Sequence, residues 1–214
     1  MTDTLPIDPR PWPKAAAKVE GHWMQGDMHD GDRMCLVGGL ESCGLAPGEW
    51  LIARAVARHR GHGESWNDQR NRTEAEVVGW LRTADPITAD ELADVFGPQW
   101  EPVCALILRA VTLTGDEARR LDAARVAARV GVWDAARDAA RDAVWDAVWV
   151  AARVAAGDAV WVAAGDAAWD AARALVVRDM IGQHGFTQAH YDALTRPWAT
   201  VIGPAHPDDA PVTP

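Results

Sequence analysis

The sequence predicts a mainly α protein: a small helical N-terminal domain with a minor β-hairpin, followed by a long alanine-rich helix or helical hairpin. Three observations carry that expectation. From Leu121 to Ala172 the chain falls into four-residue blocks: LDAA, RVAA, RVGV, WDAA, RDAA, RDAV, WDAV, WVAA, RVAA, GDAV, WVAA, GDAA, WDAA. Thr73-x-x-Glu76, Thr88-x-x-Glu91 and Thr114-x-x-Glu117 each have the spacing of a capping box, in which threonine and glutamate satisfy orphan amides at a helix start. No proline interrupts residues 103–196, and alanine is the best helix former, with arginine close behind.

Taken in order, residues 1–13 are proline-rich and are expected to be irregular. Lys14 to Glu20 predicts a short helix. His22 to Met34 predicts a small hairpin with Asp30-Gly31 at its turn, a favoured hairpin dipeptide. Cys35 to Leu45 is apolar with small residues, as in a buried helix whose Gly38-Gly39 pair lets another backbone come close. Glu49 to Arg60 is amphipathic, with Trp50, Ile52, Ala53 and Val56 on its apolar side. The three capping boxes then open helices at about 74–84, 89–96 and 115 onward. Between the last two, Val103 to Leu113 predicts a core helix entered through Pro98 and Pro102. After the blocks, Leu175, Val176, Met180 and Ile181 extend the helix to Gly182 or Gly185. Thr187 caps a short helix ending near Thr195. The expected partition is an irregular segment 1–13, a helical domain 14–113, a tetrad-repeat region 114–182, a short C-terminal helix in 183–203 and a flexible tail 204–214.

The repeat of four is the informative quantity. A four-residue step overshoots a helical turn by roughly 40°, so first-place residues wind around the axis. With Trp133 at zero, Trp145 falls near ~120°, Trp149 near ~160°, Trp161 near ~280° and Trp169 near ~0°. Heptads and eleven-residue repeats keep a seam by gentle supercoiling; a strict tetrad lies too far from the natural pitch. A packed indole buries on the order of 150–250 Å², so cover is needed on more than one side. The chain can fold back near Gly157 or Gly165, be wrapped by its other parts, or associate with copies or a partner. Trp133, Trp145, Trp149, Trp161 and Trp169 are therefore the candidate interface residues.

Composition narrows the function classes. The 214 residues carry a formal charge of −10, which disfavours nucleic-acid binding through a basic surface. Eight Asp and six Arg lie between 121 and 173, so the repeat is close to neutral and a poor DNA mimic. Asp122–Arg125, Asp134–Arg137, Asp138–Arg141 and Asp170–Arg173 are at i,i+3 and are expected to pair on the helix surface. No run of about 20 apolar residues lacks charge, so no membrane span is expected. Cys35, Cys43 and Cys104 are odd in number and lack a C-x-x-C, giving neither a disulfide framework nor a zinc site. The start MTDTLPIDPRPWP is no hydrophobic leader, and the expected location is the cytoplasm.

Two stretches resemble known sequences. Trp23-x-Gln25-Gly26, Cys35-Leu-Val-Gly-Gly-Leu40, and Trp66-Asn67-Asp68 with Arg72-Thr73-x-x-Glu76-Val77 resemble a small domain of unknown function found in actinobacteria and their phages. The likeness covers roughly residues 12–85 and departs from its usual pattern at Gly39, where alanine is usual. The tetrads with RDMIGQHGFTQAHYDALTRPW resemble the C-terminal part of mycobacteriophage accessory proteins. The resemblance implies a source and a bacterial-host setting, and no activity.

Chemistry is sought in the same motif. Cys35 opens a helix, where the dipole lowers a thiol pKa. His59 or His62 and then Asn67 follow, in the Cys…His…Asn order of papain-like enzymes. The blander reading makes Cys35 a buried small residue, and Trp66, Asn67, Asp68, Arg72, Thr73 and Glu76 the parts of a capped loop, with Arg70 or Arg72 pairing Asp68. His22, Asp27, His29, Asp30 and Asp32 have neither EF-hand nor helical zinc spacing, and no metal or cofactor is expected. The leading expectation is a non-enzymatic accessory protein acting through protein contacts, with itself or a host protein as partner. The alternative is a cysteine-dependent hydrolase or transferase.

Overall fold

The computed structural model describes residues 5–128, 133–146, 168 and 170–210, with the side chains of 133 and 141–146 outside that description. The protein is mainly α-helical with one small antiparallel hairpin. Its helices are α1 (Trp12–Val19), α2 (Leu36–Ser42), α3 (Glu49–His59), α4 (Glu64–Asn67), α5 (Glu74–Thr83), α6 (Ala89–Phe96), α7 (Trp100–Ala110), α8 (Gly115–Ala128) and α9 (Trp133–Asp146). The helical residues 170–176 are termed α10, and Gln188–Val201 is α11. Strands β1 (His29–Asp30) and β2 (Arg33–Met34) form the hairpin. The chain forms two compact units, Met1–Leu92 and Ala93–Pro214, where the sequence-based partition drew its boundary at 113.

The first unit is built by α1 packing on α2 and α5, with α2 also meeting α3, α4 and β2. Its fully buried side chains include Trp12, Leu36, Leu40, Leu51, Ile52, Leu81 and Ile87. Trp50, expected on the buried side of α3, is only half-buried, and Leu51, Ala55 and Ala57 join Ile52, Ala53 and Val56 inside. The hairpin turn sits one residue later than expected. Asp30 pairs with Arg33, so the loop is Gly31-Asp32, with Gly31 at φ 64°. Glycine at the first loop position is what a type II′ turn favours.

The Thr73 and Thr114 boxes are complete: each threonine hydroxyl accepts the glutamate amide, and the carboxylate accepts the threonine amide at 2.9 Å and 2.8 Å. At Thr88 only half forms. Its hydroxyl accepts the Glu91 amide at 3.2 Å, while the Glu91 carboxylate is taken by Arg60. A bidentate guanidinium–carboxylate pair makes two charge-assisted bonds where the cap would make one.

In the second unit, Ala136 and Ala140 of α9 share a core with Ala174, Val177, Phe186, Tyr191 and Leu194. Both α8 and α9 pack on α11. One continuous straight helix would separate residues 137 and 170 by about 50 Å, yet Arg137 Nε stands 3.4 Å from Asp170 Oδ1. Arg137 and Asp170 therefore do not lie on one straight helix, and the single long rod is excluded. Gly157 and Gly165, the expected joints, lie outside the described residues. The buried column of α9 is the fourth place of the tetrad; second-place Asp134 and Asp138 are exposed.

Three expectations are corrected here. Asp170, assigned to the helix surface, is 2% exposed and lies among Arg137 and Arg125, the latter at 3.9 Å. A carboxylate so placed needs cationic neighbours to remain ionised. Arg125 also keeps its expected partner Asp122 at 3.8 Å. The last helix does not stop near Thr195 but runs through Pro197 to Val201. A proline inside a helix costs about 3 kcal/mol, and burial of Pro197 and Trp198 offsets it. Ahead of it, α10 ends at 176 and a short 3₁₀ turn follows, Arg178–Met180, so the helix falls short of Gly182.

Candidate functional site

The residues of the resemblance meet in one place. Gly63 packs against Arg58, so closely that a Cβ there would lie 2.6 Å from Arg58 Cγ. The chain turns at this point into α4, whose first carboxylate, Glu64, is clamped by Arg54 and Arg58 of α3. Desolvation opposes that charge, but the arginines outweigh it and hold the Glu64 carboxyl below its ordinary value.

Asn67 ends α4 and is wholly buried. Its Oδ1 accepts from Trp23 Nε1 at 2.9 Å and from the Leu36 amide at 3.3 Å. Its Nδ2 donates to the Met24 carbonyl at 3.3 Å and to Asp68 Oδ1 at 2.8 Å. Asp68 Oδ1 also accepts the Gly26 amide at 2.9 Å, and Gln25 Nε2 donates to the carbonyls of Asn67 and Gln69 at 3.1 Å and 2.7 Å. Trp23-x-Gln25-Gly26 and Asn67-Asp68 are thus two halves of one lock, with the Leu36 amide of α2 as its third side. An asparagine amide offers two donors and two acceptor lone pairs, and here all four are used.

Trp66 belongs to a second feature, a stack of rings and guanidinium groups. Arg72 lies over the Trp66 ring at 4.1 Å and donates to its carbonyl at 3.2 Å. His62 meets Trp66 edge-on at 4.6 Å and stacks on Trp80 at 4.4 Å, the planes 8° apart. Trp80 lies 5.4 Å from Trp12, and Arg60 lies over Trp12 at 5.1 Å. The Trp12 indole donates to the Asp85 carbonyl at 2.9 Å. His62 Nδ1 donates to the Arg60 carbonyl at 2.8 Å. Arg72 pairs with Glu76 at 3.3 Å and not with Asp68 as expected; the Thr73 box brings that glutamate one helical turn away from it.

The Cys35, His59, His62 and Asn67 side chains occupy different surroundings. Cys35 is 2% exposed at the cap of α2, His59 is exposed on α3, and His62 lies inside the stack. Among the described residues no hydrogen bond joins Cys35 to either imidazole. The expected lowering of the thiol pKa is reversed: burial raises it, and the Gly38 and Val37 amides at the helix start only partly oppose that. Cys104, deeper in the second unit, is pushed up to about 12 by burial. His22 pairs with Asp32 at 3.6 Å and His29 with Glu41 at 2.9 Å, and among the described residues no group of side chains is arranged to hold a metal.

Of the interface tryptophans, Trp149, Trp161 and Trp169 lie outside the described residues, as do the side chains of Trp133 and Trp145. The second unit also has an open groove of about 730 Å³ between α11 and the segment after it, lined by Arg178, Tyr191, Arg196, Asp208 and Asp209 among others. Tyr191 donates to Asp209 at 2.8 Å; burial and then that carboxylate raise its pKa. No helix among the described residues is long and apolar enough to cross a membrane. No protein-family model, curated protein or solved structure matches the chain.

The motif singles out the residues of the lock, but not that Trp23-x-Gln25-Gly26 and Asn67-Asp68 meet; the sequence predicts that Asn67 and Asp68 cap or turn their own loop. Sequence reasoning missed the stack: Trp12, His62, Trp66 and Trp80 share no period and come from four separate elements. It also missed the inward turn of Asp170, one of eight aspartates in near-identical blocks.

Proposed function

We propose that the protein is a phage accessory protein that works by binding protein, its own copies or a host protein, through the tetrad-repeat helices. One observation carries the reading. Helix α9 commits its fourth-place alanines, Ala136 and Ala140, to the core of the second unit. On a wheel of 100° per residue, position 145 lies roughly 160° from the mean direction of those two alanines. A repeat that winds as this one does cannot offer all its first-place tryptophans to a core met by the alanine column. Tryptophan and arginine are the residue types that most often anchor interfaces, and both recur in the first place. The resemblance to mycobacteriophage accessory sequences supports the source, and a bacterial cytoplasm is the setting that follows from it.

Sedimentation of the full chain is expected to show a stable oligomer, or a defined complex when host protein is added. Replacing Trp145 and Trp149 together by alanine is expected to weaken that assembly about 30-fold or more, the effect of losing one interface hot spot of about 2 kcal/mol. The thermal transition of the first unit should stay in place. A monomer at all concentrations that captures no host protein overturns the reading.

Cysteine chemistry, the second reading, is separated by alkylation. Cys35 is expected to react far more slowly with iodoacetamide near neutral pH than the same thiol in denaturant, since the thiolate is the nucleophile and burial disfavours it here. Rapid modification of the folded chain at Cys35 favours an enzyme instead.

A further inference from the structure

We propose that His62 is a proton-operated latch: with its ring neutral it helps hold the segment from His62 to Arg72 against α1 and α5, and protonation at Nε2 loosens that hold. The stack runs Arg60, Trp12, Trp80, His62, Trp66, Arg72, with the imidazole between two indoles. Through these rings it joins α1, α4, α5 and the turn after α3. Nδ1 is committed to the Arg60 carbonyl, which leaves Nε2 to take the proton. Among the described residues Nε2 has no hydrogen-bond partner.

The charged groups packed around the stack decide the outcome. Arg60 at the end of α3 and Arg72 ahead of α5 present two cations. The nearby carboxylates are engaged elsewhere: Glu64 of α4 with Arg54 and Arg58, Glu76 of α5 with Arg72 and the Thr73 cap, Glu91 of α6 with Arg60. α1 contributes Trp12. A cation on the ring therefore meets two guanidinium groups, each partly offset by its own carboxylate, and finds no carboxylate partner for itself. Attraction of an imidazolium to the Trp80 face favours closure, but at a half-exposed site that term is weak beside two guanidinium groups and the lost hydration of the ring. The pKa of His62 accordingly moves down, first through burial and then through Arg72 and Arg60, against an upward pull from the Arg60 carbonyl.

The sign follows from proton binding. The unfolded or released ring takes its proton near the ordinary value of 6.5, and the closed ring only at lower pH. Between those values the open form binds more protons, so the stability that His62 lends to closure is full above the ordinary value and is lost as pH falls through that window. The device responds to mild acidification.

Hydrogen exchange on the full chain tests it. Corrected for intrinsic rates, protection of amides 62–72 is expected to fall severalfold from about pH 7.5 to about pH 5.5, the range in which histidine titrates. In His62→Phe, which keeps a flat ring between the indoles but cannot titrate, protection should not change over that range. Equal loss in the variant, or no loss in the native chain, overturns the latch. Should His62→Phe not fold, the His62 ring resonance of the native protein replaces it. A titration midpoint below the ordinary histidine value supports the proposal, and one at or above it overturns it.

Discussion

Gly38→Ala is expected to destabilise the first unit by about 2–3 kcal/mol, the upper part of the range for overpacking a dense core. The expected cost comes from backbone. A Cβ at Gly38 would stand 2.2 Å from the Met28 carbonyl oxygen, 3.0 Å from Met34 Cβ and 3.1 Å from His29 Cε1. The same carbonyl accepts the Cys35 amide at 3.2 Å, so moving it away breaks the bond that joins the hairpin to the start of α2. Against this stands a gain of about 1 kcal/mol in helix propensity, which the clash exceeds. Gly39→Ala is a milder case, because its Cβ would meet Val19 Cγ2 at 2.4 Å, a side-chain methyl. Gly79→Ala reverses the sign: nothing lies within 4 Å there, and about 1 kcal/mol of stabilisation is expected from propensity alone. Denaturant midpoints of the three variants measure the order. A Gly38→Ala midpoint equal to the native one would show that α2 does not approach the hairpin as described.

Asn67→Ala is expected to cost about 3–4 kcal/mol, since each buried polar group left without a partner costs about 1–3 kcal/mol. The Leu36 amide and the Met24 carbonyl both lose their side-chain partner, and the Trp23 indole N–H loses its acceptor. Asn67→Asp is the more telling variant. It keeps the shape and one acceptor, yet removes both donors and sets a carboxylate against Asp68 Oδ1, now 2.8 Å from Nδ2. Near neutral pH it should be at least as damaging as alanine. Relative to the native chain at the same pH it should recover on acidification, because a protonated carboxyl again offers a donor. Thermal unfolding at two pH values reads both effects. If the Asn67→Asp chain were as stable as the native one at neutral pH, the lock would no longer be the organising feature of the motif.

Local chemistry was legible wherever a short spacing carries its own mechanism. The three threonine boxes marked helix starts correctly, and only a tertiary partner, Arg60, drew Glu91 away from the second. The Gly38-Gly39 pair announced a close approach, and the structure supplies the carbonyl it meets. Pairing across distance was not legible in the same way. Nothing near Arg60 points to Glu91, and nothing in Trp12, Trp66 and Trp80 foretells that they converge on one imidazole. In sequence Asp170 resembles Asp122, Asp134 and Asp138, which are exposed, and only the packing of α8, α9 and α10 distinguishes it from them. Pro197 argued for a stop, and the burial of Trp198 beyond it prevailed. The Cys35, His59, His62 and Asn67 order was read from succession along the chain, which does not determine which side chains share a cavity.

The alanine core of the second unit has a consequence for alignment of its helices. Sliding α9 by one block keeps alanine at one of its two core positions and brings Val132 or Val144 to the other, so those contacts separate neighbouring pairings by a single Ala-to-Val exchange. Selection of a single arrangement falls largely to side chains outside the repeat: Val177, Phe186, Tyr191 and Leu194 share the core with Ala136 and Ala140. The motif-free residues after the blocks act as the ruler against which the monotonous part is measured.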